Sequence, residues 1–236
     1  MGKLLVKDKD IVTPGEELAV GMDFLPATGV FREKEQLIAS RMGIVNVSGR
    51  LVKLIPLSGR YAPKRDDIVI GRIMDMTMSS WFVDINHFSD AVMSLREVKD
   101  FIPRGADLSG YYSYGQWILA KITNVTKSNS VEIGMKSPGL GKLGNGRIIK
   151  LNPAKIPRVI GRQGSMIGLI KEKTNCKISV GQNGYIWLKG EDPEKERLAV
   201  ETLYYIEKEA HKSGLTDKVG EFLNGRLGGK DVHKKK

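Results

Sequence analysis

Cysteine is almost missing from this chain of 236 residues, and Cys176 is the only one. A single thiol excludes any disulfide within the chain and any cysteine-based zinc ribbon or knuckle. Its surroundings, Thr174-Asn175 before it and Lys177-Ile178-Ser179-Val180 after it, read as a turn entering a strand, which suits a small buried hydrophobe better than a reactive thiol. Histidine is scarce too. His87, His211 and His233 are scattered, and no HxxxH spacing, carboxylate pair, Ser/His/Asp arrangement or Walker A pattern is visible. No apolar run approaches the ~20 residues that a bilayer span requires. The first residues, Met1-Gly2-Lys3-Leu4-Leu5-Val6-Lys7-Asp8, turn charged at once instead of building a signal-peptide core, and Val6 stands where a myristoylation motif wants Ser or Thr. These absences predict a cytoplasmic protein with no membrane segment, no cofactor, no metal and no catalytic centre.

Acid is what the middle of the chain lacks. Between Ile133 and Lys171 there is no Asp or Glu, yet Lys136, Lys142, Arg147, Lys150, Lys155, Arg158, Arg162 and Lys171 all fall there. The whole chain carries a formal charge of +11 and has a pI near 9.6. Each Lys or Arg that meets a phosphate releases a condensed counterion, so such an excess favours polyanions. A solvated helix face normally mixes both signs, and a one-sign stretch of this length points to an anionic ligand. The balance of 41% hydrophobic and 28% charged residues is that of a globular protein. The length suits two or three small domains rather than one large one.

Periodicity divides the chain into a multidomain protein, mainly β plus α/β. Residues 1–63 have few helix signals. Turns at Val12-Thr13-Pro14-Gly15-Glu16 and Ala27-Thr28-Gly29 and β-rich runs over Leu37–Val47 and Arg50–Leu57, joined through Ser48-Gly49, predict a small all-β domain that docks on something. Residues 64–145 hold five candidate strands, Ile68–Met76, Trp81–Ile85, Ala91–Leu95, Trp117–Ile122 and Val131–Met135, the pattern of a closed OB-type barrel. Alternation puts Trp81, Val83 and Ile85 in the core and Phe82 outside, where it could stack on a base. The glycine-rich Gly139-Leu140-Gly141-Lys142-Leu143-Gly144 reads as a linker.

Over residues 146–213 the period changes from two to 3.6. The predicted order is strand (Gly146–Leu151), short helix around Arg158–Ile160, loop Gly161-Arg162-Gln163-Gly164, second helix capped by Ser165, strands Lys177–Val180 and Tyr185–Leu188, and a long helix from Pro193. That order with a GxxG loop between two helices is a KH domain, which clamps about four nucleotides against the loop. Its glycines let the backbone approach the sugar-phosphate chain, and the helix starting at Ser165 aims N–H groups and the positive end of its dipole at a phosphate. Arg162 adds a formal charge, and Lys155 and Arg158 lie just ahead. The same fold can also serve as a packing module whose loop never meets RNA. Residues 214–236 predict one short helix around Val219-Phe222-Leu223 and a basic flexible tail.

Taken in order, several pieces resemble one family. Val12-Thr13-Pro14-Gly15-Glu16, Val52–Gly59 followed by Asp67-Ile68-Val69-Ile70-Gly71, Pro157–Ile167, Gly181-Gln182-Asn183-Gly184 with Ile186-Trp187, and Gly214-Leu215-Thr216-Asp217 look like the RNA-binding cap subunit of the archaeal exosome, the type with an S-one-type OB barrel followed by a KH domain. The resemblance covers nearly the whole chain. It implies that residues 1–63 anchor on a hexameric ring of phosphorolytic exonuclease subunits. Three copies would then line the entry pore and pass single-stranded RNA inward for 3′-to-5′ degradation. The barrel departs from the general S-one pattern, with Ser79 where a stacking aromatic is usual and Ser94 where histidine is frequent, which shifts the weight to basic contacts such as Lys121, Lys136 and Arg147. A free-standing translation factor or RNA chaperone is the alternative. A bacterial polynucleotide phosphorylase fragment would carry KH before the barrel, and the other cap subunit of the exosome needs a zinc ribbon.

Overall fold

The computed structural model describes residues 2–57, 59–103, 105–210 and 214–228. The chain forms two compact units, residues 1–59 and 60–236. In the first, strands β1 (Lys3–Leu4), β2 (Ile11–Val12), β3 (Glu17–Val20), β4 (Leu25–Pro26), β5 (Val30–Glu33), β6 (Gln36–Ala39), β7 (Gly43–Ser48) and β8 (Leu51–Pro56) build two sheets, ordered β1-β3-β6-β5 and β2-β7-β8-β4. Val12, Leu18, Leu37, Val45, Val52 and Leu54 fill the core. The β-rich run expected from Leu37 to Val47 is two strands in different sheets. The chain leaves one at Ala39 and enters the other at Gly43, so the run's apolar residues belong to both faces of one small core. The hairpin through Ser48-Gly49 forms, with Ser48 opposite Leu51 and Gly49 at φ 61°.

The second unit opens with the barrel: β9 (Ile68–Met76), β10 (Ser80–Asp84), β11 (Ala91–Ser94), β12 (Trp117–Val125) and β13 (Val131–Gly134). Each pairs with its neighbours in the order β13-β11-β10-β9-β12, and β12 pairs back with β13 to close the ring. Closure leaves no open edge, which is how so short a set of strands escapes edge-to-edge pairing. Trp81, Val83 and Ile85 are fully buried, as the alternation requires. Two details differ from expectation. Tyr61 already belongs to the barrel core, its Oη donating to Asp67 at 2.6 Å. The expected linker at 139–144 contains β14 (Gly141–Lys142), paired with Ile118 and Leu119 of β12, and Leu140 packs into the core. Its glycines serve a strand margin, with Gly141 at φ 145°.

The KH domain follows. Strands β15 (Arg147–Lys150), β16 (Lys177–Val180) and β17 (Tyr185–Lys189) form an antiparallel sheet with β17 central. Helices α1 (Ile156–Ile160), α2 (Ser165–Thr174) and α3 (Pro193–Glu209) pack on it. Pro157 sits in the first turn of α1, where a missing N–H costs nothing. Asp192 caps α3 by accepting from the Glu194 N–H at 2.9 Å. Cys176 is buried in this core, in keeping with a packing role. The expected short tail helix is longer and structural. Helix α4 (Leu215–Gly228) places Leu215, Val219 and Leu223, one per turn, into the KH core, and Tyr205 of α3 stacks on Phe222 at 4.7 Å. The expected basic tail beyond it, 229–236, lies outside the described residues.

Candidate nucleic-acid interface

The GxxG loop is built from left-handed backbone. Gly161, Gln163 and Gly164 have φ of 75°, 51° and 80°. At Gly161 a Cβ would stand 2.7 Å from both the backbone nitrogen and the Cβ of Met166, so only glycine fits. At Gly164 the nearest atom would be 3.9 Å away, and the constraint is conformational alone. Gln163 is the exception, a side chain held where L-residues are uncommon, and such positions cluster at ligand contacts. Arg162 and Gln163 are exposed. Ser165 does not cap α2: it is the first helical residue, Gly164 occupies the cap position, and no side-chain cap bond forms. The Ser165 N–H is already spent on the Arg162 carbonyl. The sharp turn, rather than a serine hydroxyl, therefore starts the helix.

The remaining sequence-selected residues fall into two groups. Arg158 on α1 and Arg147 on β15 are exposed and have no ion pair among the described residues. The three lysines are engaged. Lys155 Nζ donates to the Glu207 carbonyl at 2.8 Å, near the end of α3. Lys121 Nζ lies 2.7 Å from Asp66, and that hydrogen bond holds the Asp66 carboxyl below the usual carboxylate range. Lys136 stands 3.7 Å from Glu97. All three partners are distant in sequence, so the acid-free stretch is less free of acid in space. Phe82 is half-buried between Val92 and Asp75 of the flanking strands, which leaves less of its face open than the alternation alone suggested. The exposed aromatics lie in loops. Phe101 is 90% exposed beside a groove lined by Met78, Ser79, Ser94 and Arg96, and Phe88 stacks at 4.3 Å on His87. Period-two reasoning looks only at strands and could not find them.

Barrel and KH domain are fastened together through the turn that read as merely polar. Asn183 is fully buried, and its side chain meets the barrel backbone at three points. Oδ1 accepts from the Ile70 N–H at 3.2 Å, and Nδ2 donates to the carbonyls of Ile70 at 2.7 Å and Ile85 at 2.8 Å. Gln182 pairs with both backbone groups of Ile68, and Asn86 Nδ2 donates to the Asn183 carbonyl at 2.8 Å. Trp117 meets Tyr185 edge-on at 5.3 Å. Burial, then the charge of Asp84, pushes the Tyr185 hydroxyl up from its ordinary value. A buried polar side chain satisfied this fully fixes one docking geometry.

A closed OB-type barrel locked to a KH domain with an exposed GxxG loop is the build of a multidomain RNA-binding protein. Family models agree: one described as the RRP4, S1 domain matches residues 60–105 and a KH domain model matches residues 146–194. The exosome complex component Rrp4 of Methanothermobacter thermautotrophicus is 42% identical over 225 residues, covering 95% of this chain and 71% of that protein. That of Pyrococcus furiosus is 38% identical over 232 residues, covering 96% and 87%. A solved structure named as an exosome complex RNA-binding protein superposes with a TM-score of 0.63 at 37% identity, covering 71% of this chain and 97% of that one. The chain belongs to the Rrp4 family of exosome complex components.

Proposed function

We propose that this chain is the non-catalytic RNA-binding cap subunit of an exosome in the cytoplasm. Residues 1–63 dock it on a hexameric ring of phosphorolytic exonuclease subunits, three copies to a ring. The barrel (64–145) and the KH domain (146–213) guide single-stranded RNA into that ring for 3′-to-5′ degradation. The observation that carries the reading is the exposed, glycine-built KH loop with Arg162 at its tip, held in fixed register to a barrel by Asn183. Family membership supports the complex, since relatives are named as its components. Among the described residues no cluster of His, Cys, Asp or Glu could hold a metal ion, and no helix is long and apolar enough to cross a membrane.

RNA reaches the protein through phosphate contacts and local stacking. Arg158, Arg162 and Arg147 supply free cations and the loop supplies close backbone approach. Lys121, Lys136 and Lys155 contribute only if a phosphate outcompetes their present partners. Three copies around one pore raise the local concentration of sites for one strand. The test is reconstitution. The chain alone, with phosphate and magnesium, is expected to leave single-stranded RNA intact, and with the ring it is expected to increase processivity. Phosphate-dependent shortening of RNA by the chain alone overturns the non-catalytic reading, and purification from native extract without ring subunits favours a free-standing RNA-binding factor.

A further inference from the structure

The outer face of the sheet β2-β7-β8-β4 is aliphatic where solvent would favour polar side chains. Ile11, Ile44 and Ile55 stand directly opposite one another on three adjacent strands, with Ile11 66% and Ile55 49% exposed. Leu51, on the same side of β8, faces Leu25 of the parallel neighbour, and both are exposed. Between Leu51 and Ile55 rises Lys53, exposed and without an ion-pair partner among the described residues. The opposite faces of these strands, Val12, Val45, Val52 and Leu54, are the domain's own core, so the strands are apolar on both sides. A sheet with one face in water normally alternates apolar with polar. One this apolar on its outer face marks an interaction site.

We propose that this face, the isoleucine row with Leu25, Leu51 and Lys53, is the surface by which the chain docks on the ring, and that the ring surface it meets is apolar with a carboxylate opposite Lys53. The inference rests on the docking reading above and assigns the face that performs it. The chemistry selects protein over RNA. Bases stack on aromatic rings, and this face has none; a strand of phosphates needs several cations, and it has one. No acid lies on the outward positions of these four strands, so the complementary group on the partner is negative.

The test compares full-length wild type with the double variant Ile11→Asp, Ile55→Asp by titration against the purified phosphorolytic ring from the same organism. Both positions point outward, so the melt is expected to shift little, while ring affinity falls at least tenfold. Met22→Asp, at a position 70% exposed but away from this sheet, is expected to bind the ring like wild type. Should the double variant fail to fold, Lys53→Glu serves instead, with affinity expected to fall at least threefold and the loss shrinking as salt rises. If wild type and the folded double variant bind the ring alike, the face assignment falls and the docking reading stands. If wild type does not bind the ring, both fall. A wild-type dimer in light scattering that the variant dissolves would make this face a self-interface, and a tenfold loss of RNA affinity in the variant would make it an RNA site; each overturns the proposal.

Discussion

The carboxamide of Asn183 pairs with the backbone of Ile70 in both directions, accepting from its N–H at 3.2 Å and donating to its carbonyl at 2.7 Å. It thus extends barrel strand β9 by one strand-like rung contributed from the KH domain. Asn183→Ala would orphan the Ile70 N–H and two carbonyls. At about 1–3 kcal/mol for each buried group left unpaired, the expected loss is roughly 3 kcal/mol or more. At ~2–4 °C per kcal/mol for a chain of this size, the melting midpoint should fall by about 6 °C or more. Asn183→Asp should cost more, because a carboxylate would face the carbonyls of Ile70 and Ile85. A differential scan of the two variants checks the order, and an unchanged midpoint in Asn183→Ala would remove the clamp from the account.

Helix α4 is core rather than tail. Leu223→Ala should destabilise the KH domain by about 2–5 kcal/mol, the range for emptying a fully buried leucine site. Thermal denaturation followed by circular dichroism measures it, and a loss under ~0.5 kcal/mol, typical of surface positions, would return the helix to the surface.

These two features also mark the limit of what the sequence could show. Trp81, Val83 and Ile85 were legible as core because one buried face imposes a period of two. The run Ile68-Val69-Ile70 breaks that period because Ile70 is covered from outside by the Asn183 turn, and nothing local names the covering element. Gln182-Asn183-Gly184 looks like any polar turn until the barrel is placed against it. In α4 the stripe Leu215, Val219, Leu223 has helical spacing, but Gly220, Gly225 and Gly228 lower the propensity that would have announced it. The pairs Lys121–Asp66 and Lys155–Glu207 join residues distant in sequence, so a cation count along the chain overstated the charge left for RNA.

The Lys121–Asp66 pair sets an acid-side dependence. The hydrogen bond from Lys121 lowers the Asp66 pKa from its ordinary 3.8, so the folded chain prefers the carboxylate. Its contribution is complete above the unfolded value and is lost as pH falls from about 3.8 through the lower folded value. Lys121→Ala should return the Asp66 titration, read by NMR, to the ordinary range. Asp66→Asn should free the ammonium and steepen the salt dependence of RNA binding. An unchanged salt slope would mean that Lys121 does not meet RNA.

The two loop glycines should respond unequally. Gly161→Ala drives a Cβ to 2.7 Å from the Met166 backbone nitrogen, whereas Gly164→Ala meets nothing nearer than 3.9 Å and pays only for its left-handed φ. That conformational cost is roughly 1–2 kcal/mol. Gly161→Ala is expected to lose distinctly more, with the first turn of α2 displaced. Gln163→Gly should be neutral or slightly stabilising, since its native φ of 51° suits glycine. Equal melting midpoints for the two alanine variants would contradict the packing argument at Gly161.

Arg162→Asp with Gln163→Asp asks whether the loop holds RNA. Both side chains are exposed, so no core contact is lost, and both glycines keep the turn. Aspartate is among the residues that tolerate left-handed backbone, so position 163 adds little strain. One positive charge becomes two negative ones beside the N-terminus of α2, where a phosphate would sit. A charge-assisted contact is worth about 1.5–3 kcal/mol, which corresponds to an affinity loss of roughly tenfold or more. Because phosphates rather than bases are read, the loss should be similar across RNA sequences. The slope of log K against log salt should also shrink by about 0.7 for each phosphate contact removed. Titration of single-stranded RNA at several salt concentrations gives both quantities, and a melt shows that the fold survives. Unchanged affinity in a normally melting variant would leave the loop structural and assign the RNA to the barrel groove beside Phe101.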